Sequence, residues 1–248
     1  MCGGNLLIDK AIISGYFALI LFVFAIWVFL RDYLRTHKSV GFLSFPRRRG
    51  GLRTEDTFGF MDTVSIEVRR TIGPKNEHSQ SYRCKDPIIT SGDGWYRTEG
   101  LLESKTIGPI QAHFDIHTSI KNTNVTINFK LMCLADILNV EMVKAWCWLN
   151  ADECSISDKQ GIKTHPLLLS SIWEKVYEGI LNSVRFTNKN GDLILLSRKS
   201  NVFTYDQVWK HEAHAEYVTM WTHKPEGFTL KKGTRYECTW NLRYEANQ

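Results

Sequence analysis

Apolar and polar residues alternate along much of the chain, and this period of two limits the fold more than any other feature of the sequence. The clearest stretch is 109–135, PIQAHFDIHTSIKNTNVTINFKLMCLA, where two alternating segments flank the turn-forming residues KNTN. Successive side chains of a strand point to opposite faces, so the pattern predicts two half-buried strands that form a hairpin. A register with Ile120 opposite Val125 places Asp115 opposite Lys130, and apolar residues then meet apolar residues.

Further strands and a single helix are predicted elsewhere in the chain. The predicted strands are 63–70, 95–104, 141–149, 192–197, 216–223 and 235–245. The residues NKNG at 188–191 are typical of a tight hairpin turn, because Asn and Gly tolerate left-handed backbone conformations. Apolar residues recur every four positions in 166–184, which predicts one amphipathic helix. The predicted fold class is an N-terminal transmembrane helix plus a mostly-β globular domain, an antiparallel β-sandwich or an α+β arrangement, with this single helix.

A long apolar run near the N-terminus predicts a membrane anchor. Residues 11–30, AIISGYFALILFVFAIWVFL, contain no charged side chain. Twenty helical residues span about 30 Å, the thickness of the hydrocarbon core of a bilayer. A cleaved signal peptide fits less well, because its apolar run is shorter and is followed by small residues. The sequence therefore predicts a single-pass integral membrane protein with a signal anchor. Its parts are a short tail (1–10), a transmembrane helix (11–30), a basic juxtamembrane linker (31–60) and a β-rich domain (61–248).

Positive charge is concentrated directly after the apolar run. Seven basic residues and one acidic residue lie between positions 31 and 53, whereas the whole chain has a net charge of +5. Basic residues mark the flank of a transmembrane helix that is not translocated, so the large domain is predicted to lie on the cytosolic or matrix side. The cluster can also attract anionic lipid headgroups at the membrane surface. Its members are Arg31, Arg35, Lys38, Arg47, Arg48, Arg49 and Arg53.

Two observations leave a lumenal or extracellular topology open. Asn124-Val125-Thr126 is an N-glycosylation acceptor, which is used only in a lumenal domain. The predicted domain contains five cysteines, and an odd number leaves at least one thiol unpaired within the chain. An odd number fits a reducing compartment slightly better, but two disulfides remain compatible with it.

The first group of candidate site residues lies in the predicted hairpin. His113, Asp115 and His117 occupy positions i, i+2 and i+4, which point to one face of a strand. Two imidazoles and a carboxylate are reasonable metal ligands. The same alternation makes this face solvent-exposed, however, and Asp115 is then expected to pair with Lys130.

The second group is the segment HEAHAEYVTMWTH, which contains His211, His214 and His223. It resembles a zincin motif only superficially, because the spacing of its first two histidines does not place them one helical turn apart. A strand is also predicted to begin near position 215. The sequence therefore predicts loop histidines, no cofactor and no bound metal, and the candidate ligands are those of the two groups.

Two tryptophans form a candidate contact patch. In EMVKAWCWL, 141–149, Trp146 and Trp148 share one strand face, and Cys147 lies on the other. Trp is enriched at binding hot spots, so an exposed face here predicts a partner contact. The alternative is a strand that is buried on both faces.

These features together favour a non-enzymatic role. The leading prediction is a single-pass, membrane-anchored interaction or scaffold module whose β-rich domain binds a protein partner close to the bilayer. One alternative is a membrane-tethered enzyme, with or without a metal, that uses a histidine cluster. Another is a lumenal or extracellular glycosylated domain of the adhesion, receptor or envelope type. Nucleic acid is not a predicted partner, because the basic charge belongs to the linker rather than to the domain.

Overall fold

A computed structural model describes most of the chain after residue 60. The described residues are 61–72, 78–84, 87–92, 94–104, 107–167, 172–211 and 214–246, with four short strands between 37 and 56. The predicted anchor and most of the basic linker lie outside them, so both stay predictions. Among the described residues, no helix is long and apolar enough to cross a bilayer.

Strands are the only regular structure in the described residues. The first ten are β1 (His37–Val40), β2 (Leu43–Pro46), β3 (Leu52–Arg53), β4 (Glu55–Asp56), β5 (Met61–Ile72), β6 (His78–Cys84), β7 (Ile88–Gly92), β8 (Trp95–Ser104), β9 (Gly108–Lys121) and β10 (Asn124–Cys133). The others are β11 (Ile137–Leu149), β12 (Glu153–Asp158), β13 (Gly161–Pro166), β14 (Glu174–Gly179), β15 (Ser183–Asn188), β16 (Gly191–Ser200), β17 (Tyr205–His211), β18 (His214–Leu230) and β19 (Arg235–Ala246).

Most of these strands belong to one large antiparallel sheet. Their order across it is β13-β12-β15-β16-β19-β10-β9-β8-β6-β5-β11-β18-β17-β14. β3 pairs with β5, and β7 pairs with β8. The two free edges are therefore β13 and β14, which lie close together in the sequence.

The predicted hairpin of β9 and β10 is confirmed, including its register. Ile120 lies opposite Val125, and Asp115 lies opposite Lys130. The ion pair of Asp115 is nevertheless formed with Arg97 of β8, whose guanidinium donates two hydrogen bonds of 2.9 Å to the carboxylate. A planar guanidinium meets both carboxylate oxygens at once, which is a stronger arrangement than a single ammonium contact.

The apolar core lies against one face of the sheet. Side chains alternate between buried and more exposed along β10 and β19, as expected for strands that are covered on one side only. Trp240 lies at the centre of the core, with its ring 4.5 Å from that of Phe129 and 4.9 Å from that of Tyr217. Strands from every part of the sheet contribute to one apolar cluster, so the sheet curls around it and leaves its other face outside.

The predicted helix at 166–184 is wrong. β13 ends at Pro166, Glu174–Gly179 forms β14, and β15 begins at Ser183. β14 pairs with β17 and β15 pairs with β16, so hydrogen bonds to neighbouring strands replace those of a helix. The spacing of apolar residues gives only a weak preference for a helix, and pairing with distant strands overrides it. The mostly-β, antiparallel part of the prediction is confirmed, and the α+β arrangement with a single helix is not.

The cysteines of the domain fill core positions. All five are buried, and none of them forms a disulfide. Burial raises the pKa of Cys84 to about 11 and that of Cys238 to about 12. These thiols therefore stay protonated at neutral pH and contribute to the core as small apolar groups.

One charged network lies inside the core. Asp206 of β17 accepts hydrogen bonds from Arg198 at 2.9 Å and from the Tyr217 hydroxyl at 2.8 Å. Burial raises the pKa of Asp206 to about 6, although Arg198 opposes this effect. The network joins β16, β17 and β18 on the core side of the sheet, away from the outer face.

Candidate functional site on the outer face of β11, β17 and β18

The outer face of the sheet between β6 and β17 carries an unusual set of side chains. Along β11, Val143, Ala145 and Cys147 belong to the core, so the residues between them point outward. The cross-strand register continues this outward set onto β5, β18 and β17. We call it the tryptophan face. Its members are Glu67, Arg83, Met142, Lys144, Trp146, Trp148, Tyr205, Gln207, Trp209, Glu216, Val218 and Met220.

An apolar cluster covers the centre of the tryptophan face and is separate from the main core. Its buried members are Met142, Trp146, Val218 and Met220, and the partly buried Trp148, Tyr205 and Trp209 pack against them. The outer face of a sheet normally carries polar side chains. The partly exposed rings of Trp148, Tyr205 and Trp209 are the part of this cluster that a ligand can reach.

A buried row of charges runs beneath the aromatic rings. The Lys144 ammonium lies 2.7 Å from the Glu216 carboxylate and 3.7 Å from the Glu67 carboxylate. Glu67 also accepts hydrogen bonds from Arg83 at 3.0 Å and from Ser81 at 2.7 Å. Burial opposes the ionisation of Glu67, but Lys144 and Arg83 outweigh it and lower the pKa of this carboxyl to about 2. Glu67 is therefore fixed as an anion at neutral pH.

The same cations lie close to the Trp146 indole. The Arg83 guanidinium is 5.1 Å and the Lys144 ammonium is 5.7 Å from the ring centroid, both within the range of a cation–π contact. The Trp148 ring lies 5.6 Å from that of Trp146 at an angle of 51°. Within the described part of the chain, the buried Trp146 indole N–H has no hydrogen-bond acceptor. The Trp221 indole N–H in the main core is unpaired in the same way, so this feature alone does not distinguish the tryptophan face.

The β17 side of the face is also held by hydrogen bonds. The Trp209 indole N–H donates to Gln207 at 3.0 Å, and the Gln207 amide donates to Glu178 at 2.9 Å. Hydrogen bonding from Lys175 and Gln207 lowers the pKa of Glu178. The Lys175 ammonium lies 5.6 Å from the Trp209 ring centroid. The ring of Trp209 is thereby fixed in its orientation, as a binding surface requires.

These groups suit a ligand that has both apolar faces and hydroxyl groups. The rings of Trp209 and Tyr205 are partly exposed and offer flat apolar surface. Amide N–H groups beside them can donate hydrogen bonds to sugar hydroxyls. Amide and carboxylate oxygens can accept hydrogen bonds from those hydroxyls. Glu216 and Lys144 also form an adjacent acceptor and donor of protons.

The histidines predicted as ligands in the hairpin lie elsewhere. His113, Asp115 and His117 share the outer face of β9, but both oxygens of Asp115 are used by Arg97. The His117 ring lies 5.7 Å from that of Trp95, and the His113 imidazole is 4.0 Å from the Glu99 carboxylate. Among the described residues, no group of three or more His, Cys, Asp or Glu is arranged to hold a metal ion.

The second histidine group is spread over two strands. His211 ends β17 and stacks on Trp173, with ring centroids 4.6 Å apart. His214 is the first residue of β18 and lies opposite His211. The side chain of His214 is not among the described parts of the structure. His223 lies farther along β18, opposite Met142. Asn124 is the exposed first residue of β10.

Sequence reasoning found Trp146 and Trp148 but missed the charges beneath them. A signal was present, because Lys144 interrupts the otherwise apolar segment 142–149. Lys is almost never fully buried unless it is paired, so its position inside a buried strand pointed to acidic partners. Those partners, Glu67 and Glu216, lie far away in the sequence and could not be named from it.

Comparison with known proteins finds similarity in structure only. The chain matches no family model and no curated protein. It is similar to a putative aldose 1-epimerase from Escherichia coli K12, with 9% identity over 85% of this chain and 98% of that one and a TM-score of 0.52. It is also similar to a galactose mutarotase-like protein from Lactobacillus casei ATCC 334, with 8% identity over 85% and 99% of the two chains and a TM-score of 0.54.

This similarity corrects the leading functional prediction. The β-rich domain was expected to be a membrane-anchored interaction or scaffold module, with Trp146 and Trp148 as a partner-contact patch. The scaffold prediction is wrong, because the domain shares its architecture with proteins named after sugar enzymes. The partner contact of Trp146 and Trp148 is a separate expectation and stays a prediction. Identities this low establish the fold alone. The described domain has the fold of the galactose mutarotase-like proteins.

Proposed function

We propose that the domain is carbohydrate-active and that the tryptophan face binds the ring of an aldose sugar. One observation carries the proposal: an outward cluster of aromatic rings covers a buried Glu67–Lys144–Glu216 row on a domain with a mutarotase-like fold. The names of the structurally similar proteins, an aldose 1-epimerase and a galactose mutarotase-like protein, support the substrate class.

The chemistry of a sugar ring fits this surface. One side of a pyranose presents C–H groups, and these pack well against the electron-rich face of an indole or phenol ring. The edge of the pyranose presents hydroxyls, which need donors and acceptors in fixed positions. Trp209 and Tyr205 supply the rings. Lys175 and Glu178, which are exposed beside Trp209, supply the polar groups.

A second candidate function is interconversion of the two anomers of the bound sugar. Glu216 would remove the proton of the anomeric hydroxyl, the bond between C1 and the ring oxygen would break, and Lys144 would protonate that oxygen. Rotation about the C1–C2 bond and closure by the reverse steps give the other anomer and restore both side chains. The 2.7 Å contact between the Glu216 carboxylate and the Lys144 ammonium supports this assignment. Glu67 would act as a positioning residue, because its carboxylate lies 3.7 Å from the Lys144 ammonium.

Titration of the full chain with D-galactose, D-glucose and their methyl glycosides tests the binding proposal. We expect measurable binding by calorimetry and a loss of about fivefold in affinity in Trp209→Ala, because an aromatic contact is worth about 1 kcal/mol. Phe203→Ala is the matched control, since this exposed ring lies in the turn before β17. The proposal fails if none of the sugars binds or if Trp209→Ala and Phe203→Ala bind equally well.

Polarimetry tests the catalytic candidate separately. The full chain should accelerate the mutarotation of a bound free sugar. Glu216→Gln should abolish this acceleration while the sugar still binds, because the amide keeps the shape but cannot take the proton. If Glu216→Gln accelerates mutarotation as much as the parent chain does, Glu216 takes no part in the proton transfer.

A further inference from the structure

We infer that the binding site is elongated and that Trp173 and His211 form a distal subsite for a second sugar unit, so that the preferred ligand is an oligosaccharide. The inference rests on the proposed function, because it extends the same face toward the sheet edge. Trp173 lies directly before β14, the edge strand that follows β17 in the sheet.

The Trp173 side chain is a preformed platform. Its ring is parallel to the His211 imidazole within 10°, with the two centroids 4.6 Å apart. The imidazole covers one face of the indole, yet Trp173 is still 46% exposed. An indole that is held flat by a stacked neighbour and remains open to solvent loses little side-chain entropy when a ligand stacks on it.

The strand register places this platform on the same face as the proposed sugar site. Positions 205, 207, 209 and 211 of β17 point to one side, so His211 lies in line with Trp209. Trp209 is opposite Glu216 on β18 and opposite Lys175 on β14. Trp173, two residues before Lys175, is then the diagonal neighbour of Trp209.

Sheet dimensions give the length of the extended site. Directly opposite residues are about 5 Å apart, and diagonal neighbours are about 7–8 Å apart. The path from Glu216 through Trp209 to Trp173 is therefore longer than one pyranose ring can cover. A ligand that contacts both Glu216 and Trp173 must contain more than one sugar unit.

Polar groups lie along this path, as an oligosaccharide requires. Gln207, Glu178 and Lys175 are joined by hydrogen bonds beside the Trp209 ring. Lys175 and Glu178 are exposed, and their ammonium and carboxylate groups lie beside the aromatic rings. This arrangement matches a ligand whose apolar ring faces alternate with hydroxyl-bearing edges.

Affinity as a function of chain length tests the inference on the full chain. The ligands are D-glucose, maltose and maltotriose, with D-galactose and its β-linked oligomers as a second series. We expect affinity to rise about fivefold from the monosaccharide to the longer sugars of one series, which is the gain of one added aromatic contact. Trp173→Ala should remove this gain and leave monosaccharide affinity unchanged, and Trp173→Phe should restore part of it.

The outcomes separate this inference from the proposed function. Phe203→Ala, which truncates a ring that is 76% exposed at the other end of β17, should keep the full gain. Equal affinity for short and long sugars, or an undiminished gain in Trp173→Ala, overturns the distal subsite while monosaccharide binding still supports the proposed function. Failure of every sugar to bind overturns both.

Discussion

Lys144 is the side chain on which the charge balance of the tryptophan face depends. Its side chain is 9% exposed, and its ammonium neutralises Glu216 as well as the fully buried Glu67. Removal of one member of a buried ion pair leaves an uncompensated charge, which costs about 3–5 kcal/mol. Lys144→Met should therefore lower the free energy of unfolding by about this amount in urea titrations.

A surface pair gives the control for this prediction. Lys231 lies 3.0 Å from Asp136, with 73% of the lysine side chain exposed. Exposed pairs contribute about 0–1 kcal/mol, so Lys231→Met should be nearly neutral. Equal destabilisation by Lys144→Met and Lys231→Met would contradict the buried charge row.

Asp206 should make stability depend on pH in a defined direction. Burial raises the pKa of this carboxyl from 3.8 to about 6 in the folded protein. A raised folded-state pKa gives a contribution to stability that is complete below about pH 4 and is lost as the pH rises through 6. Asp206→Asn should therefore flatten the change in unfolding free energy between pH 4 and 6. Equal pH slopes in the two proteins would show that Asp206 does not titrate there.

Glu67 acts in the opposite direction and in a different pH range. Its folded-state pKa of about 2 lies below the ordinary 4.5, so its contribution is present above pH 4.5 and is lost as the pH falls toward 2. The two carboxyls can thus be separated experimentally. Acid sensitivity below pH 4 should be reduced in Glu67→Gln relative to the parent chain, whereas it should persist in Asp206→Asn.

At the scale of elements, the hairpin of β15 and β16 depends on Gly191. Its φ is 150°, and an added Cβ would lie 2.2 Å from the backbone oxygen of Glu245 in β19. Gly191→Ala should lower the free energy of unfolding by about 3 kcal/mol or more, because strain and a backbone clash combine. Gly161 also has a positive φ, but its Cβ position is open, so Gly161→Ala should cost only about 1 kcal/mol. The account would be contradicted if thermal unfolding showed a larger loss of stability in Gly161→Ala than in Gly191→Ala.

Elements could be predicted from the sequence where local pattern and pairing agree. The alternation of β9 and β10 and their short turn fix one register, and that register is present. The helix prediction for 166–184 is wrong for the converse reason. Its apolar residues recur every four positions, which favours a helix locally. In the fold, however, β14 pairs with β17 and β15 pairs with β16. Which strands pair is decided by contacts between distant parts of the chain, and the local pattern does not contain them.

At the scale of the whole molecule, the candidate site is assembled from distant segments. Glu67 and Lys144 come from β5 and β11, whereas Trp209 and Glu216 come from the consecutive strands β17 and β18. Only the folded sheet brings β5, β11 and this hairpin together. The sequence predicted that Trp146 and Trp148 share a face, but it could not supply their charged neighbours or the path to Trp173. Membrane anchorage through residues 11–30 and contact of the basic linker with lipid stay predictions.

The position of the bound sugar is the most direct test of the account. The full chain would be labelled with 5-fluorotryptophan, and the ¹⁹F NMR signals would be assigned with single Trp→Phe variants. Saturating sugar should shift the signals of Trp148 and Trp209 and, for an oligosaccharide, that of Trp173. The signals of Trp95, beside His117, and of Trp240, in the core, should not move. A shift confined to Trp95, or no shift at any tryptophan, would contradict a sugar site on the tryptophan face.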